Sequence, residues 1–188
     1  MKLLPTERRK KAEEFKNMSD RLHCIAGGLL MRKALPVSWV ECVEYNQHGK
    51  PFLRDNNRCF SLSHGGNYSV IAIHSEDIGV DIEKISSEID SVSKMAARLM
   101  FTRRELSWIS DKDSGNRFYT LWTKKESILK ADGRGFSLPP KSFDVLEDTD
   151  WTTETFFYDN HVISYATKTS IHAKWRVSFL DELLSEVQ

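Results

Sequence analysis

The 188-residue chain reads as an α+β protein: two similar α+β halves, 1–76 and 77–188, forming a pseudo-twofold pair. Two observations predict this. Apolar periodicity runs helices, strands, helices, strands, so one succession occurs twice, changing over near Glu76. The length suits one ordinary domain or two small halves sharing a core, and 40 % apolar residues suffice for a packed interior.

The first half opens with a charge-rich helix over 6–16 and a second helix over 19–35. Ser19 or Asp20 can cap the second helix, Leu22, Ile25, Leu29 and Leu30 mark its apolar side, and Pro36 stops it. An alternating strand over 39–45 leads to a turn at 46–51. Strands over 60–63 and 68–74 are joined by Gly65-Gly66-Asn67. The second half starts with a strand over 78–83. Helical spacing over 92–109 turns Met95, Leu99, Leu106 and Ile109 inward, and a further helix covers 115–131. Strands are expected at 143–146, 153–158, 162–167 and 174–179, with Asp159-Asn160 as a two-residue hairpin turn. The acid-rich stretch 142–160 reads as a solvated loop and strand edge.

Composition removes several function classes. Lys+Arg and Asp+Glu both number 27, so no global field attracts nucleic acid or an anionic membrane. No apolar run is long enough to span a bilayer, and the N-terminal segment lacks the apolar core of a secretory signal. Cys24, Cys42 and Cys59 are odd in number without C-x-x-C spacing, which suits buried reduced thiols in a cytosolic protein.

Three constellations carry chemistry. In Gly79-Val80-Asp81-Ile82-Glu83, strand alternation sends Asp81 and Glu83 to one face and Val80 and Ile82 into the core. Adjacent carboxylates repel unless a cation lies between them, and hard oxygens suit Mg²⁺ or Mn²⁺; a solvated strand face also accommodates such a triplet. In Trp122-Thr-Lys-Lys-Glu126-Ser-Ile-Leu-Lys130, positions 122, 126 and 130 form one helical stripe. Apolar neighbours on nearly all sides make a buried Glu126–Lys130 pair costly unless it coordinates something. Glu126 joining Asp81 and Glu83 around a metal, with Lys130 facing an anion, suggests a pyrophosphate-bearing ligand. In Phe60-Ser-Leu-Ser63-His64-Gly-Gly, a strand ends in a hydroxyl, an imidazole and two glycines, a set equally suited to phosphate contact or to a self-bonded hairpin. Arg8, Arg9, Lys10 and Lys11 read as a solvated run that can also reach phosphate.

G-V-D-I-E followed about forty residues later by W-T-K-K-E-S-I-L-K resembles the Sfp-type 4′-phosphopantetheinyl transferases. Gly49-Lys50-Pro51, Ser-Leu-Ser-His-Gly and the loop Gly133-Arg-Gly135-Phe-Ser-Leu-Pro stand in the family's order, so the likeness covers residues 20–145. The resemblance implies two α+β halves with the active-site cleft between them and coenzyme A in that cleft. It implies transfer of phosphopantetheine from coenzyme A to a serine of an acyl or peptidyl carrier protein by a monomeric, cytoplasmic enzyme. Carried over by motif, Asp81, Glu83 and Glu126 hold Mg²⁺, Lys130 contacts the phosphates, and Lys50, Ser63 and His64 line the nucleotide. Glu105 falls where many members keep a glutamate proposed as general base. The chain is shorter than many members before the D-x-E strand. It carries His23 on a helix where members often have arginine, and the family's N-terminal basic contacts would fall on Arg9 or Lys10. Carriers of this family are typically acidic near their serine, so the basic and apolar segment with Arg98, Met100, Phe101 and Arg103 is the expected docking surface. The rival functions are a non-catalytic coenzyme A-binding module and a metal-dependent phosphohydrolase.

Overall fold

A computed structural model of the chain describes residues 4, 6–36, 42–54, 58–109, 114–147, 149–169 and 172–186. Helix α1 (Thr6–Glu14) lies against α2 (Met18–Ala34). Asn17, rather than Ser19 or Asp20, caps α2: its side chain accepts the Ser19 N–H at 2.8 Å. Leu35 turns extended before Pro36, whose ring disfavours helix at the preceding residue. Leu22 is 46 % exposed instead of inward, whereas Leu29 is buried.

Strands β1 (Val43–Tyr45) and β2 (Pro51–Leu53) form a short hairpin whose turn is held by Asn46, its side chain accepting the amides of His48 and Lys50. Positions 39–41 of the expected first strand lie outside the described residues. Strands β3 (Cys59–Gly65) and β4 (Tyr68–His74) make a second antiparallel hairpin. The third sheet has the order β5-β7-β6, from β5 (Ile78–Lys84), β6 (Thr152–Tyr158) and β7 (His161–Thr167), all antiparallel. Asp159 and Asn160 turn between β6 and β7 with φ of 43° and 58°, the left-handed pair that a two-residue hairpin requires.

The expected helix over 92–109 is two helices, α3 (Ser91–Met100) and α4 (Arg103–Ile109). Thr102 and Glu105 make a reciprocal cap: the Thr102 amide donates to Glu105 at 2.8 Å and the Glu105 amide to the Thr102 hydroxyl at 3.2 Å. That cap starts a new helix and turns the old one. Ala97, Met100 and Phe101 therefore face inward, while Met95 and Leu99, expected inward, are 64 % and 72 % exposed.

Helix α5 (Ser114–Asp132) lies across the three-stranded sheet and forms the spine of the largest core, with Phe118, Leu121, Ile128, Leu129 and Ala131 packed among Phe101, Val145 and Ala166. The segment 143–146 is a turn, not a strand. Side chains satisfy its backbone: the Val145 amide donates to Glu105 and the Phe143 carbonyl accepts from Lys125. Residues 174–179 also pair with no strand among the described residues. Trp175 stacks on Phe156 of β6, and the chain then enters α6 (Leu180–Glu186), which the periodicity did not signal. Leu183 and Leu184 of α6 close a small core with Ile25, Leu29 and Leu30 of α2. Cys24 is buried, Cys59 half-buried and Cys42 exposed, and none is in a disulfide. Among the described residues no helix is long and apolar enough to cross a membrane.

Candidate active site

The β3–β4 hairpin and the three-stranded sheet meet along β3 and β5 without a ladder between them. Side chains join them instead. The Val80 amide donates to Ser61 Oγ at 3.1 Å, and Ser63 Oγ donates to Asp81 Oδ1 at 2.8 Å. Helix α5 lies on the other flank of β5. A Cβ on Gly79 would run into the Ser127 carbonyl and the Ala131 amide, so only glycine lets α5 approach this closely. The glycine of the D-x-E motif thus brings helix residues 126 and 130 to strand residues 81 and 83.

Lys130 Nζ bonds Asp81 Oδ1 at 2.6 Å and Ser63 Oγ at 2.8 Å. Asp81 is 4 % exposed, and its second oxygen, Oδ2, is buried without a hydrogen-bond partner. Burial, with Asp81 and Glu126 nearby, pushes the Glu83 carboxyl up to about 7, Lys130 opposing; the Trp122 side chain hydrogen-bonds it. Burial and Asp81 likewise raise Glu126, again against Lys130. Three acids crowd one ammonium, which leaves an excess of negative charge and one idle oxygen in a low-dielectric place. Among the described residues no three acidic, His or Cys side chains already close on a common point as metal ligands do. The donor set nonetheless fits a hard divalent cation: oxygen only, one oxygen orphaned, two carboxyls with raised proton affinity.

The structure brings Ser63, Asp81, Glu83, Glu126 and Lys130 together. His64 follows Ser63 on β3 and stacks on His23 of α2, ring centroids 4.6 Å apart and 13° from parallel. Partial desolvation, then His23, then Lys130 push the His64 imidazole below its ordinary value. Lys50 reaches the C-terminal end of α5, but its ammonium is engaged by the Ala131 carbonyl at 2.5 Å and Asp77 at 3.0 Å. Glu105 is not delivered to the cluster. It is fully buried; one oxygen takes the Thr102 amide and the Lys125 ammonium at 3.0 Å, and the other takes the Val145 amide at 2.8 Å. A general base must reach its proton donor, and this carboxylate is sealed. Of the expected docking residues, Met100 and Phe101 are buried at 3 % and 0 % exposure, which removes them from any surface; Arg98 and Arg103 are exposed.

A cavity of about 360 Å³ opens beside His64, lined by Arg8 and Lys11 of α1, His23 and Gly27 of α2, and Ser63 and Ser69 of the hairpin. The N-terminal cations that enter it are Arg8 and Lys11, one turn apart on α1, rather than Arg9 or Lys10. Gly27 makes this possible: a Cβ there would meet the Arg8 guanidinium, which donates to the Cys24 carbonyl at 3.0 Å. The paired glycines of α2 were the sequence signal for that close approach.

Comparison with known proteins agrees with this geometry. The family model described as "4'-phosphopantetheinyl transferase superfamily" matches residues 77–180, and that described as "4'-phosphopantetheinyl transferase, N-terminal" matches residues 1–76. The chain is 30 % identical over 174 residues to 4'-phosphopantetheinyl transferase Sfp of Bacillus subtilis (strain 168), covering 88 % of this chain and 76 % of that one. It is 36 % identical over 138 residues to 4'-phosphopantetheinyl transferase gsp of Aneurinibacillus migulanus, covering 69 % and 56 %. It is 30 % identical over 197 residues to L-aminoadipate-semialdehyde dehydrogenase-phosphopantetheinyl transferase of Xenopus laevis, covering 82 % and 64 %. With these matches over most of its length, the chain belongs to the 4'-phosphopantetheinyl transferase superfamily and is an enzyme of 4'-phosphopantetheinyl transfer.

Proposed function

We propose that this enzyme takes 4'-phosphopantetheine from coenzyme A and places it on a serine hydroxyl of an acyl or peptidyl carrier protein, releasing adenosine 3',5'-bisphosphate. The observation that carries the proposal is Asp81, with one oxygen on Lys130 and Ser63 and the other buried and idle among two further acids. Asp81, Glu83 and Glu126 would hold Mg²⁺, and Mn²⁺ suits the same oxygens. When bound, the ion supplies charge neutralisation on the pyrophosphate.

The chain's own groups do the rest. Lys130 keeps a positive charge where the departing phosphate gains a negative one. Arg8, Lys11 and His64 offer donors to the phosphate on the adenosine side, His23 stacks behind His64, and Ser63 holds Lys130 in line. Lys50 fastens the 46–50 turn to the end of α5, bounding the nucleotide side of the cleft. The serine loses a proton as its oxygen bonds to phosphorus and the bond to the adenosine phosphate breaks. Glu105 is sealed and holds the loop 140–145, so in this reading the proton leaves to water in the open cluster. The cleft lies between halves 1–76 and 77–188, since Ser63 and His64 come from one and Asp81 to Lys130 from the other.

Carrier docking is assigned to the outer face of α3. Val92, Met95 and Leu99 form an exposed apolar stripe with Lys94 and Arg98 beside it and Arg103 at the next helix start. An acidic carrier face complements that charge, which steers encounter while the stripe supplies contact area. In this reading the enzyme acts as a cytoplasmic monomer. The test is to incubate the protein with coenzyme A, Mg²⁺ and a panel of apo-carriers, then weigh the carriers by mass spectrometry. A phosphopantetheine increment with release of adenosine 3',5'-bisphosphate is expected. Cleavage of coenzyme A without a carrier would indicate a hydrolase.

A further inference from the structure

The β3–β4 hairpin supplies Ser63 and His64, yet it forms its own two-stranded sheet, a unit of marginal stability in water. Its placement against Asp81 therefore depends on what grips it. Part of the grip lies along β5, where Gly65 sits on the Ile82 carbonyl; a Cβ there would be 2.5 Å from that oxygen. Another part is the core that Phe60, Leu62, Ile71 and Ile73 form with Met31 and Leu35 of α2, and a third lies at the tip. Gly66, with φ of 56°, sets its Cα against Nε2 of His161, and a Cβ would overlap that nitrogen.

His161 is 3 % exposed, and its Nδ1 lies 2.6 Å from the Asp159 carbonyl. A carbonyl only accepts, so Nδ1 carries the hydrogen and Nε2 is the bare nitrogen in a neutral ring. That nitrogen has no hydrogen-bond partner and is buried against Gly66. Tyr68 closes the other side: its ring meets His161 edge-on at 4.9 Å and Tyr158 at 5.6 Å, and its hydroxyl donates to Asp159 Oδ2 at 2.7 Å. Gly66 also points toward the cavity. Its carbonyl lies 3.2 Å from Nε2 of His23, which must be the donor, and Nδ1 of His23 bonds the Ser69 hydroxyl at 3.0 Å. His23 stacks on His64. One glycine is thus held between an imidazole of the C-terminal sheet and an imidazole of the phosphate cavity.

We propose that Tyr68 and His161 are positioning residues: they clasp the tip of the β3–β4 hairpin to the β6–β7 turn and so set His64 and His23 against Asp81 and Lys130. This rests on reading that cluster as the transfer site. Neither residue touches the reacting atoms. A loosened clasp displaces the nucleotide side of the cleft more than the carboxylates, so it raises KM for coenzyme A while kcat changes little.

The experiment is steady-state carrier loading with Tyr68→Phe, Gly66→Ala, His161→Ala and the Gly66→Ala/His161→Ala double variant, with melting curves alongside. Tyr68→Phe should raise KM for coenzyme A about fivefold, the factor one hydrogen bond is typically worth, with kcat within about twofold and a matching rise in Kd for adenosine 3',5'-bisphosphate. Gly66→Ala should raise KM more, and the double variant should recover toward His161→Ala because the obstructing ring is gone. Unchanged KM and Kd in Tyr68→Phe, an equal loss of kcat and kcat/KM, or no recovery in the double variant would overturn the clasp. If Gly66→Ala does not fold, Tyr68→Phe alone decides. Wild-type protein that loads no carrier removes the site reading and the clasp with it, whereas active wild type with indifferent variants removes the clasp alone.

Discussion

Helix α5 carries two lysine–carboxylate pairs little more than a turn apart, and they behave oppositely. Lys125 and Glu105 are both fully buried, 3.0 Å apart. Lys125 also donates to the carbonyls of Pro140 at 2.8 Å and Phe143 at 2.5 Å and lies over the Phe143 ring, and Glu105 accepts two backbone amides. All three protons and both oxygens are used. Lys130 and Asp81 keep 31 % and 6 % of their side chains exposed, one Asp81 oxygen has no partner, and Glu83 and Glu126 add uncompensated charge. Ion pairs on one helix can thus divide into a closed one that builds architecture and an open one that awaits a ligand. An unfilled oxygen valence beside two further acids separates the two; burial alone does not.

The comparison can be broken at either pair. Lys125→Ala leaves a charged Glu105 buried without its partner and should cost about 3–5 kcal/mol of stability by urea titration; a loss under about 1 kcal/mol would show that the pair is not sealed. Asp81→Ala should do the converse. Transfer should fall about a hundredfold or more, while melting stays close to wild type because relieved repulsion offsets the lost Ser63 and Lys130 bonds. Activity near wild type would dismantle the metal assignment. Lys130→Ala should lower kcat by roughly tenfold to a hundredfold, since a developing phosphate charge goes unmatched; an unaltered kcat would make this lysine as structural as Lys125.

Much of the open pair was legible in the sequence because spacing alone decides it: two residues apart share a strand face, and four apart share a helix face. Asp81 with Glu83 and Glu126 with Lys130 needed no tertiary knowledge. The closed pair was misread because Glu105 sits beside two exposed arginines, and nothing in Thr-Arg-Arg-Glu shows that its oxygens turn inward to the Thr102 and Val145 amides. The same cap hid the break between α3 and α4, since apolar spacing continues across it, and so Met100 and Phe101 were assigned to a surface. Residues 174–179 alternate like a strand, but alternation does not supply an edge to pair with, and stacking on Phe156 claims Trp175 instead. Arg8 and Lys11 stand in the sequence only as part of a four-residue basic run, whose helical phase becomes visible once Gly27 fixes how closely α1 lies on α2.

The smallest expected effect is thermal, and it tests the open pair most directly. Glu83 is shifted from its ordinary 4.5 to about 7, and Glu126 is shifted in the same direction. In that interval the folded protein binds more protons than the unfolded chain, so stability falls as pH rises from about 4.5 and the loss is complete above about 7. A divalent cation reverses the preference, because it favours the ionised carboxylates and binds the folded state alone. Melting temperature in chelator-treated buffer should therefore decline from pH 5 to 7 and then level, with a shallower slope in Glu83→Gln. Millimolar Mg²⁺ should raise it by a few degrees at pH 7.5 and scarcely at pH 5.5. Equal Mg²⁺ effects at both pH values, or identical slopes in wild type and Glu83→Gln, would mean that the three acids do not share one ion, and the contrast between the two lysine pairs would reduce to a difference in exposure.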